Sequence, residues 1–295
     1  MIADPAAVTV AAIVAQLDEV GYLADAGLAT ALTLAVRLRQ PLLLEGEAGV
    51  GKTEAAKSIA QILDTPLVRL QCYEGIDVNE ALYEWNYQRQ LLAIRLAESE
   101  KRALVDGDLF SPEFLLERPV LRALRHRGPR PAVLLIDEID RADDEFEAFL
   151  LEMLAEASVT IPELGTIRAT ERPIVILTSN RTRDLHDALK RRCLYHWIDY
   201  PPASVTAEII RRRVPESARP LADLVAQSVA RLRTLELQKL PGVAEAISWA
   251  HSLDALGLAL DASAADVTLG SVIKYRQDRQ LVLDRGLDWL VGSHS

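Results

Sequence analysis

Apolar residues along this chain follow two spacings, and the points where one gives way to the other mark out its elements. Residues 6–20 and 24–38 place apolar side chains at helical spacing and predict two helices. Leu42-Leu43-Leu44 is then a short continuous apolar run, which predicts a buried strand, and helical spacing returns over residues 54–63. The same change recurs down the chain, with strands predicted at 66–73, 132–137, 173–180 and 193–200. Between them the spacing predicts helix over 78–105, interrupted by Tyr83, Trp85 and Tyr87. A short helix is expected from the N-cap Ser111 and Pro112, cut short by Pro119 within it, then one over 143–156 and one ending at Arg192. Residues 159–168 alternate around a Pro…Gly turn and predict a hairpin. A run as uniformly apolar as Val133–Ile136 suits a strand covered on both faces. The expected fold is α/β, a doubly wound sheet of five parallel strands between helices.

After Pro201-Pro202 the strand pattern stops. Four helices are predicted, at 204–214, 221–235, 243–252 and 267–284, separated by Pro215, Pro220, Pro241 and the stretch 257–261. The expected division is an α/β domain over 1–201 and a small all-α domain over 202–295.

Composition changes this picture only by exclusion. The 295 residues are 49% hydrophobic and 26% charged, as in ordinary globular chains. A net charge of −10 speaks against a protein that coats nucleic acid. Cys72 and Cys193 show no metal-ligand spacing, and each falls in an apolar run, which points to buried, reduced thiols of a cytosolic protein. The start lacks a basic segment and soon turns acidic at Asp18-Glu19, so no signal peptide is expected. No apolar stretch approaches the ~20 residues that span a bilayer. The expected compartment is the cytoplasm.

The chemistry concentrates in Gly46-Glu47-Ala48-Gly49-Val50-Gly51-Lys52-Thr53, a complete G-x-x-x-x-G-K-[ST] loop between a predicted strand and a predicted helix. In that setting the glycines let successive N–H groups face phosphate oxygens, and the following helix adds its positive end. Lys52 is then placed to reach the β- and γ-phosphates of ATP, and the Thr53 hydroxyl to hold Mg²⁺. Asp137-Glu138 closes the third strand. Asp137 is expected to face the loop across adjacent strand ends and share the Mg²⁺ water shell, and Glu138 to polarise an attacking water. Asn180, at the end of the fourth strand, has a functional reading, orienting that water or contacting the γ-phosphate, and a bland one as a strand-end turn residue. Arg191 and Arg192 either complement the negative end of their helix or form a finger aimed at a neighbouring subunit's phosphates.

The order of these motifs carries a resemblance. Gly46–Thr53, the segment 134–142 (Leu-Leu-Ile-Asp-Glu-Ile-Asp-Arg-Ala), Leu177-Thr178-Ser179-Asn180 and Ala188-Leu189-Lys190-Arg191-Arg192 resemble the Walker A, Walker B, sensor 1 and arginine-finger elements of AAA+ ATPases. Within them the chain resembles the MoxR family. Residues 70–77, 83–87 and 109–115 resemble its CoxD-like subgroup, associated with assembly of the carbon-monoxide dehydrogenase metal centre. The resemblance implies an ATPase using Mg²⁺, assembled as a ring, usually a hexamer, with ATP between subunits. It also implies a von Willebrand factor A-domain partner and a client enzyme to be remodelled or activated. By matching position, Gly21 and Tyr22 would line the adenine pocket. The 159–168 hairpin and Tyr83–Tyr87 would face the pore or client, although ordinary packing explains those aromatics equally well. One departure concerns the lid: where a sensor 2 arginine is expected, residues 268–276 carry Gly270, so either Lys274 or Arg276 substitutes or the lid lacks that contact. Rival readings are a small-molecule kinase on the same fold, a nucleotide-gated scaffold with little hydrolysis, and a nucleic-acid motor.

Overall fold

The structure is a computed structural model that describes residues 8–101, 106–214 and 219–292. The first two residues of the helix expected at 6–20, the end of the stretch expected at 78–105, and Pro215 lie outside the described residues. The chain divides into two compact units. One comprises the residues up to Val20, Ala24–Glu45 and Thr53–Trp197, and the other Gly21–Leu23, Gly46–Lys52 and the chain from Ile198 onward.

The first unit opens with α1 (Val10–Glu19) and α2 (Ala26–Leu38). Asp25 caps α2 by accepting the Leu28 N–H at 2.8 Å. Then follow β1 (Leu42–Gly46), α3 (Lys52–Ile62), β2 (Leu67–Gln71), α4 (Val78–Leu82), β3 (Tyr83–Trp85), α5 (Tyr87–Ser99) and α6 (Asp106–Leu109). After them come β4 (Leu115–Glu117), α7 (Pro119–Leu124), β5 (Val133–Asp137), α8 (Asp144–Glu156), β6 (Ser158–Ile161), β7 (Gly165–Arg168), β8 (Ile174–Ser179), α9 (Asp187–Arg192) and β9 (Leu194–Ile198).

Five strands form the expected parallel sheet, in the order β2-β5-β8-β1-β9. One expectation about it changes. β1 and β5 are not neighbours; β8 runs between them, pairing Leu43 with Leu177 and Leu135 with Ile176. Strand adjacency is a property of long-range pairing and leaves no trace in the spacing of any one strand. Leu42–Leu44 and Val133–Ile136 are fully buried, as continuous apolar runs require. The hairpin at 159–168 is present as antiparallel β6–β7, with Ile161 opposite Gly165.

Two local readings are corrected. Pro119 does not lie inside a helix begun at Ser111; residues 112–114 make a single 3₁₀ turn, β4 intervenes, and Pro119 opens α7, where its missing N–H needs no partner. The aromatic interruption after Val78 is a strand, β3, paired antiparallel with β4 so that Trp85 faces Leu115. Trp85 is buried against Phe110 with ring centres 5.2 Å apart, whereas Tyr87 is exposed.

The second unit is helical: α10 (Ala203–Arg213), α11 (Arg219–Leu232), α12 (Val243–Ala255), α13 (Ala262–Thr268), α14 (Arg276–Arg285) and α15 (Leu287–Val291). The single helix expected over 267–284 is α13 and α14, parted by a 3₁₀ turn at Leu269–Ser271. Trp249, fully buried, anchors this core and donates its indole N–H to Thr268 at 2.8 Å. Among the described residues no helix is long and apolar enough to cross a membrane.

Candidate functional site

The glycine loop belongs to the second unit and is held by backbone contacts. Gly49 has φ +80, a left-handed conformation that favours glycine, and its carbonyl accepts the Val243 N–H at 2.9 Å. A Cβ on Gly242 would meet Ala48 O and Gly49 Cα at 2.9 Å, so two glycines allow the close approach. Lys52 is buried and donates to the carbonyls of Gly46 and Glu47, both at 2.7 Å. Tyr22 donates its hydroxyl to Gly51 O at 3.4 Å, which brings that predicted residue onto the loop beside Gly21, itself at φ +82.

The part of the helical segment that touches the loop is the turn at 242–245. There the Glu245 carboxylate accepts the Gly242 N–H at 2.9 Å at the start of α12. Neither Lys274 nor Arg276 does so: Lys274 donates to Gly270 O and Ser271 O in its own turn, and Arg276 is exposed at the start of α14. Behind the 242–245 turn, Arg233 lies over the Tyr200 ring at 4.4 Å and donates to Pro241 O and Pro201 O. Burial, reinforced by Glu47, pushes the Tyr200 phenol up to about 12, and burial lowers the Arg233 guanidinium.

In the first unit, the loops after β5 and β8 bring the predicted carboxylates together with Thr53. Asp137 is almost fully buried. Its Oδ1 accepts from Thr53 at 3.0 Å and from Thr178 at 2.6 Å, and its Oδ2 accepts Arg69 Nε at 2.9 Å and Nη2 at 2.6 Å. Because β8 lies between β1 and β5, it is Thr178 that fills the gap, and its oxygen also accepts the Glu138 N–H at 2.9 Å. Glu138 has φ +56, and its carboxylate accepts from Gln71 at 3.1 Å, Asn180 at 3.4 Å and Arg141 at 3.2 Å. Sequence reasoning missed Arg69, Gln71 and Thr178. Arg69 and Gln71 are alternate residues of one strand, a polar pair in an otherwise apolar run, and that was the available signal.

Cys72 is buried just past β2. Burial, and then the fields of Asp137, Asp140 and Glu138, push its thiol up to about 12. Cys193 is likewise buried and free, its thiol raised to about 12 by burial. Asp140 accepts the N–H and hydroxyl of Thr182 at 2.8 and 2.7 Å, tying the two loops together. The fully buried Glu147 pairs with Arg183 and accepts the His186 N–H at 2.9 Å, which fixes the start of α9. At the other end of α9 the two candidate arginines differ. Arg192 donates to Leu151 O at 2.6 Å, whereas the exposed Arg191 has no hydrogen-bond or ion-pair partner among the described residues.

The hydroxyl of Thr53 and the carboxylate of Asp137 are hard oxygen donors within hydrogen-bond distance of each other, a set that fits Mg²⁺. Nothing else nearby completes a cage: among the described residues no group of three or more His, Cys, Asp or Glu side chains is poised to hold a metal ion. Such a site takes the metal together with phosphate oxygens.

Comparison with known proteins adds three findings. The chain is similar to uncharacterised proteins of Staphylococcus aureus strains USA300, NCTC 8325 / PS 47 and COL, each 25% identical over 182 residues and 60% of this chain. It spans 62% of the length of these curated relatives. Among solved structures it resembles domain III of the replication initiation protein DnaA from Thermotoga maritima, with 16% identity, a TM-score of 0.50, and coverage of 86% of this chain and 96% of that one. That likeness concerns the fold alone. The family model for the AAA domain, dynein-related subfamily, matches residues 41–193, which hold both the glycine loop and the carboxylate cluster. With more than half of its length matched, this chain belongs to the AAA domain family, dynein-related subfamily, whose members are AAA+ nucleotide-binding proteins that commonly oligomerise.

Proposed function

We propose that this protein is an ATP-hydrolysing, ring-forming AAA+ remodelling chaperone of MoxR type. The ring would be hexameric and cytoplasmic, its nucleotide-binding domain covering 1–201 and its lid 202–295. It would act with a von Willebrand factor A-domain partner on a client enzyme, in the CoxD-like case one undergoing metal-centre maturation. The observation that carries the hydrolytic part is the setting of Glu138, whose carboxylate is held by Gln71, Asn180 and Arg141 from three separate segments. A carboxylate oriented in this way can align a water and take its proton as the bond to the γ-phosphoryl group breaks. Lys52 would offset phosphate charge, and Gly21 and Tyr22 would border the base. Mg²⁺, when held by Thr53 and Asp137 with the phosphates, would draw charge from the transferred group. Arg191, without a partner among the described residues, would serve a neighbouring subunit, while Arg192 anchors α9 to Leu151.

The test is turnover against protein concentration. Wild-type specific activity should rise as rings assemble. Glu138→Gln should keep ATP binding and lose about 10²-fold or more in rate. Lys52→Ala should lose binding. Arg191→Ala should lose about 10³-fold, and Arg192→Ala far less. Flat specific activity, or a Glu138→Gln variant as fast as wild type, would end this reading. A second reading, a nucleotide-gated scaffold with little turnover, is favoured by one observation: the lid turn against Gly49 carries Glu245, not an arginine. It predicts tight ATP binding with negligible hydrolysis at every concentration.

A further inference from the structure

Arg69 has no place in the mechanism just given, yet it makes the most intimate contact with Asp137. Two of its nitrogens, Nε and Nη2, converge on Asp137 Oδ2 at 2.9 and 2.6 Å, so this oxygen receives a charge-assisted pair of donors. The other oxygen is saturated by Thr53 and Thr178. The Asp137 side chain is only 4% exposed while that of Arg69 is 50% exposed, so the carboxylate is fixed and the guanidinium has room to move. Arg141 stands in the same relation to Glu138, at 3.2 Å. Each carboxylate of the pair therefore has its own arginine. A divalent ion arriving alone would find one hydroxyl and one carboxylate whose charge is already balanced.

We propose that Arg69 is the resident counter-ion of Asp137, a positioning residue that keeps bare divalent cations off this carboxylate and so makes metal binding conditional on nucleotide. This rests on the reading of Asp137 as the carboxylate that serves Mg²⁺. With Arg69 present, the buried charge of Asp137 is compensated before any ligand arrives. Phosphate oxygens then supply the additional negative charge and ligands that draw the metal in. Without Arg69, a nearly buried carboxylate is left unpaired, and the cheapest replacement for the lost cation is a metal ion. By linkage, the same arginine governs how strongly metal and nucleotide reinforce each other's binding.

The experiment uses the full chain, free of nucleotide, with Mn²⁺ as the probe and the paramagnetic resonance of free Mn²⁺ as the readout. Wild type is expected to bind Mn²⁺ weakly without ADP and strongly with it. Arg69→Gln and Arg69→Met should each bind Mn²⁺ without ADP about tenfold more tightly than wild type, and Arg69→Lys, which keeps the charge, within about threefold of it. Adding Asp137→Asn to Arg69→Gln should abolish the gain. The inference is overturned if folded Arg69→Gln and Arg69→Met match wild type, or if Arg69→Lys gains as much as they do. It is also overturned, with no variant needed, if wild type binds Mn²⁺ equally well with and without ADP. Wild-type binding of fluorescent ADP with Mg²⁺, lost in Lys52→Ala, is measured in parallel. If wild type binds no nucleotide, the reading of the site has failed; if it does and the Mn²⁺ data are flat, only the role of Arg69 has.

Discussion

The Asp137–Glu138 carboxylates and the Gly46–Lys52 loop are held in place by opposite means. The carboxylates are fixed by side chains arriving from other segments: Thr53 from α3, Arg69 and Gln71 from β2, Thr178 from β8, and Asn180 from the loop after it. The loop is fixed by backbone, through Val243 N–H on Gly49 O and through its own carbonyls gathered around Lys52. One region is therefore sensitive to losing a side-chain atom and the other to gaining one.

The largest effect expected from this contrast is at Thr178. Thr178→Val keeps shape but removes the donor to Asp137 Oδ1 and orphans the Glu138 N–H, a loss of about 1–3 kcal/mol in stability. It should also cut turnover more than nucleotide affinity. Urea unfolding together with separate kcat and KM values checks this, and a Thr178→Val variant with wild-type stability would show that the side-chain scaffold is not what holds the carboxylates.

Next is the converse change. Gly242→Ala places a methyl 2.9 Å from Ala48 O and Gly49 Cα and should cost about 1–3 kcal/mol through overpacking. Gly270→Ala, with nothing within 4 Å of the added atom, is the control and should be close to neutral. Equal melting temperatures for the two variants would contradict the backbone account of the loop.

The last effect is absent at neutral pH, appears only in alkali, and samples both units. The thiols of Cys72 and Cys193 and the phenol of Tyr200 are all raised to about 12, so each stays protonated in the folded protein after its unfolded counterpart has ionised. The stability they confer is complete below the unfolded values, near 8.5 for Cys and 10 for Tyr. It falls as pH rises from there to about 12, by at most about 1.4 kcal/mol per pH unit for each group. Urea midpoints measured from pH 8 to 11 should decline, and less steeply in Cys193→Ala. A flat profile would show that burial at these positions is looser than drawn.

What could be read from sequence was local. The glycine loop needed only its own residues and the strand and helix beside it, and the apolar run at 133–136 announced a buried strand without reference to its partners. The hairpin at 159–168 was legible because its turn lies within ten residues. What escaped depended on pairing across the chain. Nothing in β1 or β5 says that β8 runs between them, so the role of Thr178 was invisible. Arg69 gains its meaning only from the β2–β5 register that sets Gln71 opposite Asp137. The lid contact was sought at 268–276, whereas Pro241-Gly242 with Glu245 three residues on, a helix-start pattern, held the residues that meet the loop. Pro119 was misread because a proline can stop a helix or begin one, and only the strand before it decides which.

Glu138 is a long acidic residue in a backbone shape, φ +56 and ψ +50, that suits asparagine or glycine better. Its neighbours keep it there, because the amide is anchored to Thr178 and the acid to Gln71 and Asn180. The bonds that hold this left-handed turn are thus the same ones that aim the carboxylate, so relaxing the backbone and freeing the acid would be a single event.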